Sequence, residues 1–136
     1  MQPRDKFFSS LMAIRSAAGL TSTVERPALV EPGATLDAAA MEKVRASLTT
    51  SAQQGCWNYV IDLSGVSAVD SNGLALLVSA LRSVRDAGGY AALVTGRPDM
   101  QRMLELCARS RNCRIFSSTS EACRALQSSP LPKTAA

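Results

Sequence analysis

Between Tyr59 and Gly89 the chain changes its hydrophobic period once, at a defined place. Tyr59, Val60, Ile61 and Leu63 form a near-continuous apolar run with β-branched residues in its middle, the pattern of a strand covered by other elements. From Asn72 to Ala87, the residues Leu74, Leu77, Val78, Leu81 and Val84 fall at i, i+3, i+4, i+7 and i+10, the pattern of an amphipathic helix. Asp70, Ser71, Asn72 and Gly73 stand at the hand-over. Gly88 and Gly89, which tolerate positive φ, then end the helix. A buried strand that turns directly into a long amphipathic helix points to alternating β and α layers.

The rest of the chain repeats this alternation. Ala28 to Asp37 reads as a short extended piece broken by Pro32 and Gly33, and proline places it at a sheet edge or a bulge. Asp37 is a good N-cap for a helix from Ala38 to Thr50, whose inner face holds Met41, Val44 and Leu48. Tyr90 to Thr95 reads as a strand, and Pro98 can open a helix with Met100, Met103, Leu104 and Cys107 inward. Cys113 to Phe116 is a short strand, and Ser118 or Thr119 can cap a last helix carrying Ala122, Cys123 and Leu126. Four strand–helix alternations predict an α/β layer structure with crossovers between mostly parallel strands.

Ahead of this domain, residues 1–26 read as an N-terminal extension. Phe7, Phe8, Leu11 and Met12 share one helical face there, with Ala18 further along it. Such a helix either packs on the domain or reaches out to a partner or a membrane surface. The domain itself is expected over residues 27–127, and residues 128–136 form a polar, proline-bearing tail expected to be disordered.

Composition excludes several chemistries. A chain of 136 residues is enough for one compact domain. It has no histidine, which removes His–Ser and His–Cys catalytic pairs and every His-containing zinc site. Cys56, Cys107, Cys113 and Cys123 form no C-x-x-C pair, so no metal site or cofactor is expected, and the cysteines read as reduced thiols of a cytoplasmic protein. The net charge of +4 is mild and no dense Lys/Arg block exists, so direct nucleic-acid binding is not expected. Arg97, Arg102, Arg109, Arg111 and Arg114 could line a basic patch, either solvated surface or a partner contact. No run is long enough to span a membrane, and two serines and Arg15 interrupt what would otherwise resemble a signal peptide near Phe7.

The Asp70–Gly73 turn has two chemical readings. Asp70 or Ser71 as an N-cap, with Gly73 allowing close backbone approach, explains the residues as turn chemistry. Alternatively, Ser71 is presented for modification. A phosphate there would meet free N–H groups and the positive end of the helix dipole. It would add about −1.5 to −2 charge beside Asp70. Nucleophilic catalysis by Ser71 lacks a base, since no histidine exists and no lysine is near in sequence.

These residues resemble a known family. The segment from Val60 to Gly89, with Asp62-Leu63-Ser64 followed by Asp70-Ser71-Asn72-Gly73-Leu74, is similar to the central signature of STAS domains, specifically the anti-sigma factor antagonists. The Gly33-Ala34-Thr35-Leu36-Asp37 stretch resembles the family's Gly-x-Leu-Asp segment, and the later strands and helices follow in the family's order over about residues 28–127. Asn72 stands where serine or threonine is usual. The resemblance implies a single domain with a four- to five-stranded mixed β-sheet and about four α-helices packed mainly on one side. It also implies a non-enzymatic binding module. Its expected partners are an anti-sigma factor serine kinase of the GHKL type and a phosphoserine phosphatase. Ser71 is then the phosphorylation site, and Asp37, Asp70, Ser71, Asn72, Gly73 and Leu74 form the partner surface. A second resemblance, through Gly73-Leu74-Ala75-Leu76-Leu77, is to the STAS subunit of phospholipid-transport complexes, whose partner is an ABC transporter ATPase.

Overall fold

In the computed structural model, which describes residues 6–18, 27–107 and 113–128, five helices and six strands alternate along the chain. Helix α1 is Lys6–Ala18, followed by strands β1 (Ala28–Val30) and β2 (Thr35–Leu36) and helix α2 (Ala38–Gln53). Then come β3 (Asn58–Asp62), β4 (Ala68–Val69), α3 (Ser71–Asp86) and β5 (Tyr90–Val94). The chain continues through α4 (Pro98–Cys107), β6 (Cys113–Phe116) and α5 (Thr119–Ser128). The expected linker after α1, the segment before β6 with Arg109 and Arg111, and the tail beyond Ser128 lie outside the described residues.

The main sheet has the order β1-β3-β5-β6, and every pairing among the described residues is parallel. Parallel neighbours require crossovers, and α2, α3 and α4 supply them. Because the strand order never reverses, crossovers of one hand place these helices on one face. The core bears this out. Tyr59, Ile61, Ala91 and Leu93 pack with Met41, Val44, Leu48, Leu77, Leu81, Val84, Met100 and Leu104. The alternate residues Val60, Ala92 and Val94 face the other way, against Ala122 and Leu126 of α5. The period of two in β3 and β5 thus feeds two cores, which is why these strands read as continuous apolar runs.

The Ala28–Asp37 piece splits at Pro32 and Gly33 into two strands that serve different sheets. β1 takes the edge of the main sheet, and Pro32 lies just beyond it, outside any strand. β2 leaves it and pairs in parallel with β4, Thr35 opposite Ala68 and Leu36 opposite Val69. The apolar stretch through Val69 is likewise two strands. After Asp62 the chain turns, with the Val66 amide donating to the Leu63 carbonyl at 3.0 Å.

Of the two readings of the N-terminal helix, packing prevails. Phe7 and Leu11 are buried in the main core, with Met12 and Ile14 half-buried against it. Cys56 is buried, its Sγ donating to the Asn58 carbonyl at 3.2 Å, and Cys123 is half-buried.

Candidate functional site

Two short parallel strands, β2 and β4, each run straight into a helix through an aspartate. Asp37 has extended backbone and its Oδ1 accepts from the Ala40 amide at 2.9 Å, closing the first turn of α2. Asp70 does the same for α3, its Oδ1 accepting from the Gly73 amide at 2.7 Å. The Asp70 amide donates to the Leu36 carbonyl at 3.0 Å, so the two hand-overs are stitched side by side. Two helix N-termini therefore open next to one another, beside the C-terminal ends of the strands, the edge where α/β folds place ligands and partners.

Ser71 is the first helical residue of α3 and is exposed. Asn72 beside it is exposed too. Gly73 is buried, and the reason is steric. A Cβ at this position would lie inside contact distance of the Leu36 carbonyl and 2.7 Å from Asp37 Cα. Leu74 is half-buried and packs on the main core. Of the six positions expected to form the partner surface, Asp70, Ser71 and Asn72 present themselves to solvent, Asp37 is half-buried, and Gly73 and Leu74 hold the turn in place.

The segment that leads into Asp70 is held by backbone bonds. Asp62 Oδ1 accepts from the Ser64 amide at 2.9 Å. The Ser67 amide donates to the Ala34 carbonyl at 2.8 Å, and the Ser67 hydroxyl to the same oxygen at 3.3 Å. Arg97 reaches across from the β5–α4 junction, its Nη1 donating to the Val66 carbonyl at 3.2 Å. Its Nη2 pairs with Asp99 Oδ2 at 3.0 Å, and this hydrogen bond holds the Asp99 carboxyl below its ordinary value, helped by the Met100 amide.

Sequence reasoning placed Arg97 only in a possible basic patch. The long-range bond to Val66 leaves no periodic trace. Arg114, from the same group, lies over the ring of Phe116, 5.2 Å from its centroid. Asp37 and Asp70 are each legible as helix caps ahead of an apolar helical face, whereas the strand pairing that sets them side by side is not.

Among the described residues no cluster of three acidic, cysteine or histidine side chains could hold a metal, and no helix is long and apolar enough to cross a membrane. A four-stranded parallel sheet with crossover helices on one face, and an exposed serine at a helix start beside its capping aspartate, define a small α/β domain.

Its family follows from sequence comparison. The STAS domain model matches residues 20–122, and the chain belongs to that family. A Thermotoga maritima protein assigned as an anti-sigma factor antagonist is 37% identical over 60 residues, covering 44% of this chain and 53% of the relative. A Thermotoga neapolitana homologue is 35% identical over 65 residues, covering 48% and 58%. The chain thus spans little more than half the length of these curated relatives. The crystal structure of a Thermotoga maritima protein described as an anti-sigma factor antagonist superposes with a TM-score of 0.60 at 25% identity, covering 73% of this chain and 86% of that one. The anti-sigma factor antagonist SpoIIAA, in its unphosphorylated form, shares the fold with a TM-score of 0.56 at 20% identity, covering 74% and 87%.

Proposed function

We propose that this chain is an anti-sigma factor antagonist, a non-enzymatic cytoplasmic regulator that works by switching partners. The unmodified form binds an anti-sigma factor that is itself a serine kinase of the GHKL type, and so releases a sigma factor. The kinase transfers the γ-phosphoryl group of ATP to Ser71. The Ser71 oxygen forms the new P–O bond, its proton leaves, and ADP departs. A phosphoserine phosphatase hydrolyses the ester and resets the switch.

The observation that carries this reading is the position of Ser71. It is exposed at the first turn of α3, beside a cap that does not use its side chain. A phosphate there gains from the helix dipole, so modification leaves the domain folded. A partner seated over Asp70, Ser71 and Asn72 would nevertheless meet two added charges and a hydration shell. Affinity is switched without refolding. The assignment of the Thermotoga relatives favours this regulator over a transport-complex subunit.

The test is capture from the native host with three full-length baits: wild type, Ser71→Ala and Ser71→Glu. Wild type and Ser71→Ala are expected to capture a kinase that Ser71→Glu does not. If all three instead capture one membrane ATPase, Ser71 is a helix-start residue only, and the regulator reading fails.

A further inference from the structure

The segment that presents Ser71 is buried in the main core at Leu63 and Val66, but its last residues, from Ser67 to Asp70, lean on a different pair of strands. Among the described hydrogen bonds, the Ser67, Ala68 and Asp70 amides all go to Ala34 and Leu36, that is, to the β2 side. The β2–β4 pair is only two residues long on each strand. A ladder this short has little stability of its own. The Leu63 amide ties the start of the segment to β5 by donating to the Val94 carbonyl at 2.8 Å, and beyond Leu63 the described hydrogen bond to the β5–α4 junction is the one from Arg97 to the Val66 carbonyl, spanning 31 positions of sequence.

Arg97 is braced for this task. Its amide donates to Thr95 Oγ1 at 3.2 Å, and Thr95 is fully buried. Pro98 follows and restricts the Arg97 backbone to extended conformations. Asp99 holds the other arm of the guanidinium, and its second oxygen accepts from the Met100 amide at 2.9 Å. The planar fork serves a carbonyl on one side and a carboxylate on the other, a geometry that a lysine ammonium on a flexible stem does not reproduce. The side chain is partly solvent-exposed, so the tether is one of modest strength at the rim of the site.

We propose that Arg97 is a positioning residue for the Ser71 switch. Its guanidinium, braced by Asp99, fixes the Val66–Asp70 segment against the β5–α4 junction and so sets how Ser71 is offered to the partner kinase. This rests on the partner-switching reading for its consequence, but the tether itself is measurable without any partner.

Amide hydrogen exchange on the full chain is read at Ser67 and Asp70, with Ala92 in β5 as the internal reference, for wild type, Arg97→Ala, Arg97→Lys and Asp99→Asn. Loss of one such bond is expected to speed exchange at Ser67 and Asp70 about tenfold in Arg97→Ala, with Ala92 unchanged. Asp99→Asn is expected to give a smaller rise, and Arg97→Lys to recover part of the protection. With the kinase captured by the wild-type bait, kcat/KM for Ser71 phosphorylation is expected to fall about tenfold in Arg97→Ala, in step with the exchange. Unchanged exchange at Ser67 and Asp70 overturns the tether. An equal rise at Ala92 overturns it too, since it marks general destabilisation. Faster exchange with undiminished phosphorylation overturns the positioning role. Should the wild-type bait capture no kinase, the partner-switching reading and the positioning role fall together, whereas a failed tether leaves that reading intact.

Discussion

Gly73 rests on the backbone of Leu36, so closely that a single added methyl group has no room. The α3 N-terminus therefore docks on the strand that feeds α2, and the two helix starts move as one unit. Gly73→Ala would normally strengthen a helix by about 1 kcal/mol. Here the methyl meets backbone, which cannot rotate away, and overpacking of this kind costs about 1–3 kcal/mol or more. We expect a net loss of about 2 kcal/mol, together with loss of partner capture. Urea unfolding checks the first; a variant as stable as wild type would contradict the packing.

Under the proposed function, Asp70 and Ser71 separate stability from switching. Asp70→Ala removes the acceptor for the Gly73 amide and should cost about 1 kcal/mol, with Asp70→Asn or Asp70→Ser close to wild type. Ser71→Glu places a negative charge at the positive end of α3, offset in part by Asp70, and should stay within about 0.5 kcal/mol of wild type. Thermal unfolding of the two variants therefore ranks them opposite to capture only if charge, and not unfolding, breaks the interface. A Ser71→Glu chain that melts well below Asp70→Ala would defeat this.

Much of this arrangement was legible in the residues. The change of period at Asp70 located the start of α3, because a cap, a small residue and an apolar face all point the same way there. The Gly88 φ of 96° matches the stop expected from two consecutive glycines. The division of the Ala28–Asp37 and Tyr59–Val69 stretches into four strands was not legible. Strands of two or three residues carry at most one and a half periods of the two-residue alternation, too little to read, and their pairing is decided by long-range backbone bonds such as Asp70 to Leu36. The Arg97 tether escaped for the same reason. Its partner is a carbonyl, and every residue has one.

Leu11 tests whether α1 belongs to the fold. It is fully buried among core residues, although α1 precedes the region matched by the family. Leu11→Ala should cost about 2–5 kcal/mol through lost burial and a residual cavity. Ser9→Ala on the exposed side of the same helix should change stability by less than about 0.5 kcal/mol. Equal, small effects at both positions would mean that α1 leaves the domain in solution and acts as an arm.

Tyr59 offers a pH test of the core. Its side chain is fully buried, and its hydroxyl has no hydrogen-bond partner among the described residues. Burial pushes the phenol well above its ordinary value, and the charge on Cys56 pushes in the same direction. The folded state thus holds this proton more tightly than the unfolded chain. The resulting stability is complete below the ordinary phenol value of about 10 and drains away as pH climbs above it towards the raised folded value. Wild type should therefore lose stability steeply above about pH 10. Tyr59→Phe removes both the titration and an unsatisfied buried hydroxyl, whose desolvation costs about 1–3 kcal/mol. The variant should match or exceed wild type at neutral pH and show a shallower alkaline limb. Urea midpoints at about pH 7 and about pH 10.5 settle the matter. A Tyr59→Phe chain that is clearly less stable at neutral pH would mean that the hydroxyl finds a partner in solution, such as a buried water, and that the core around β3 is wetter than its packing implies.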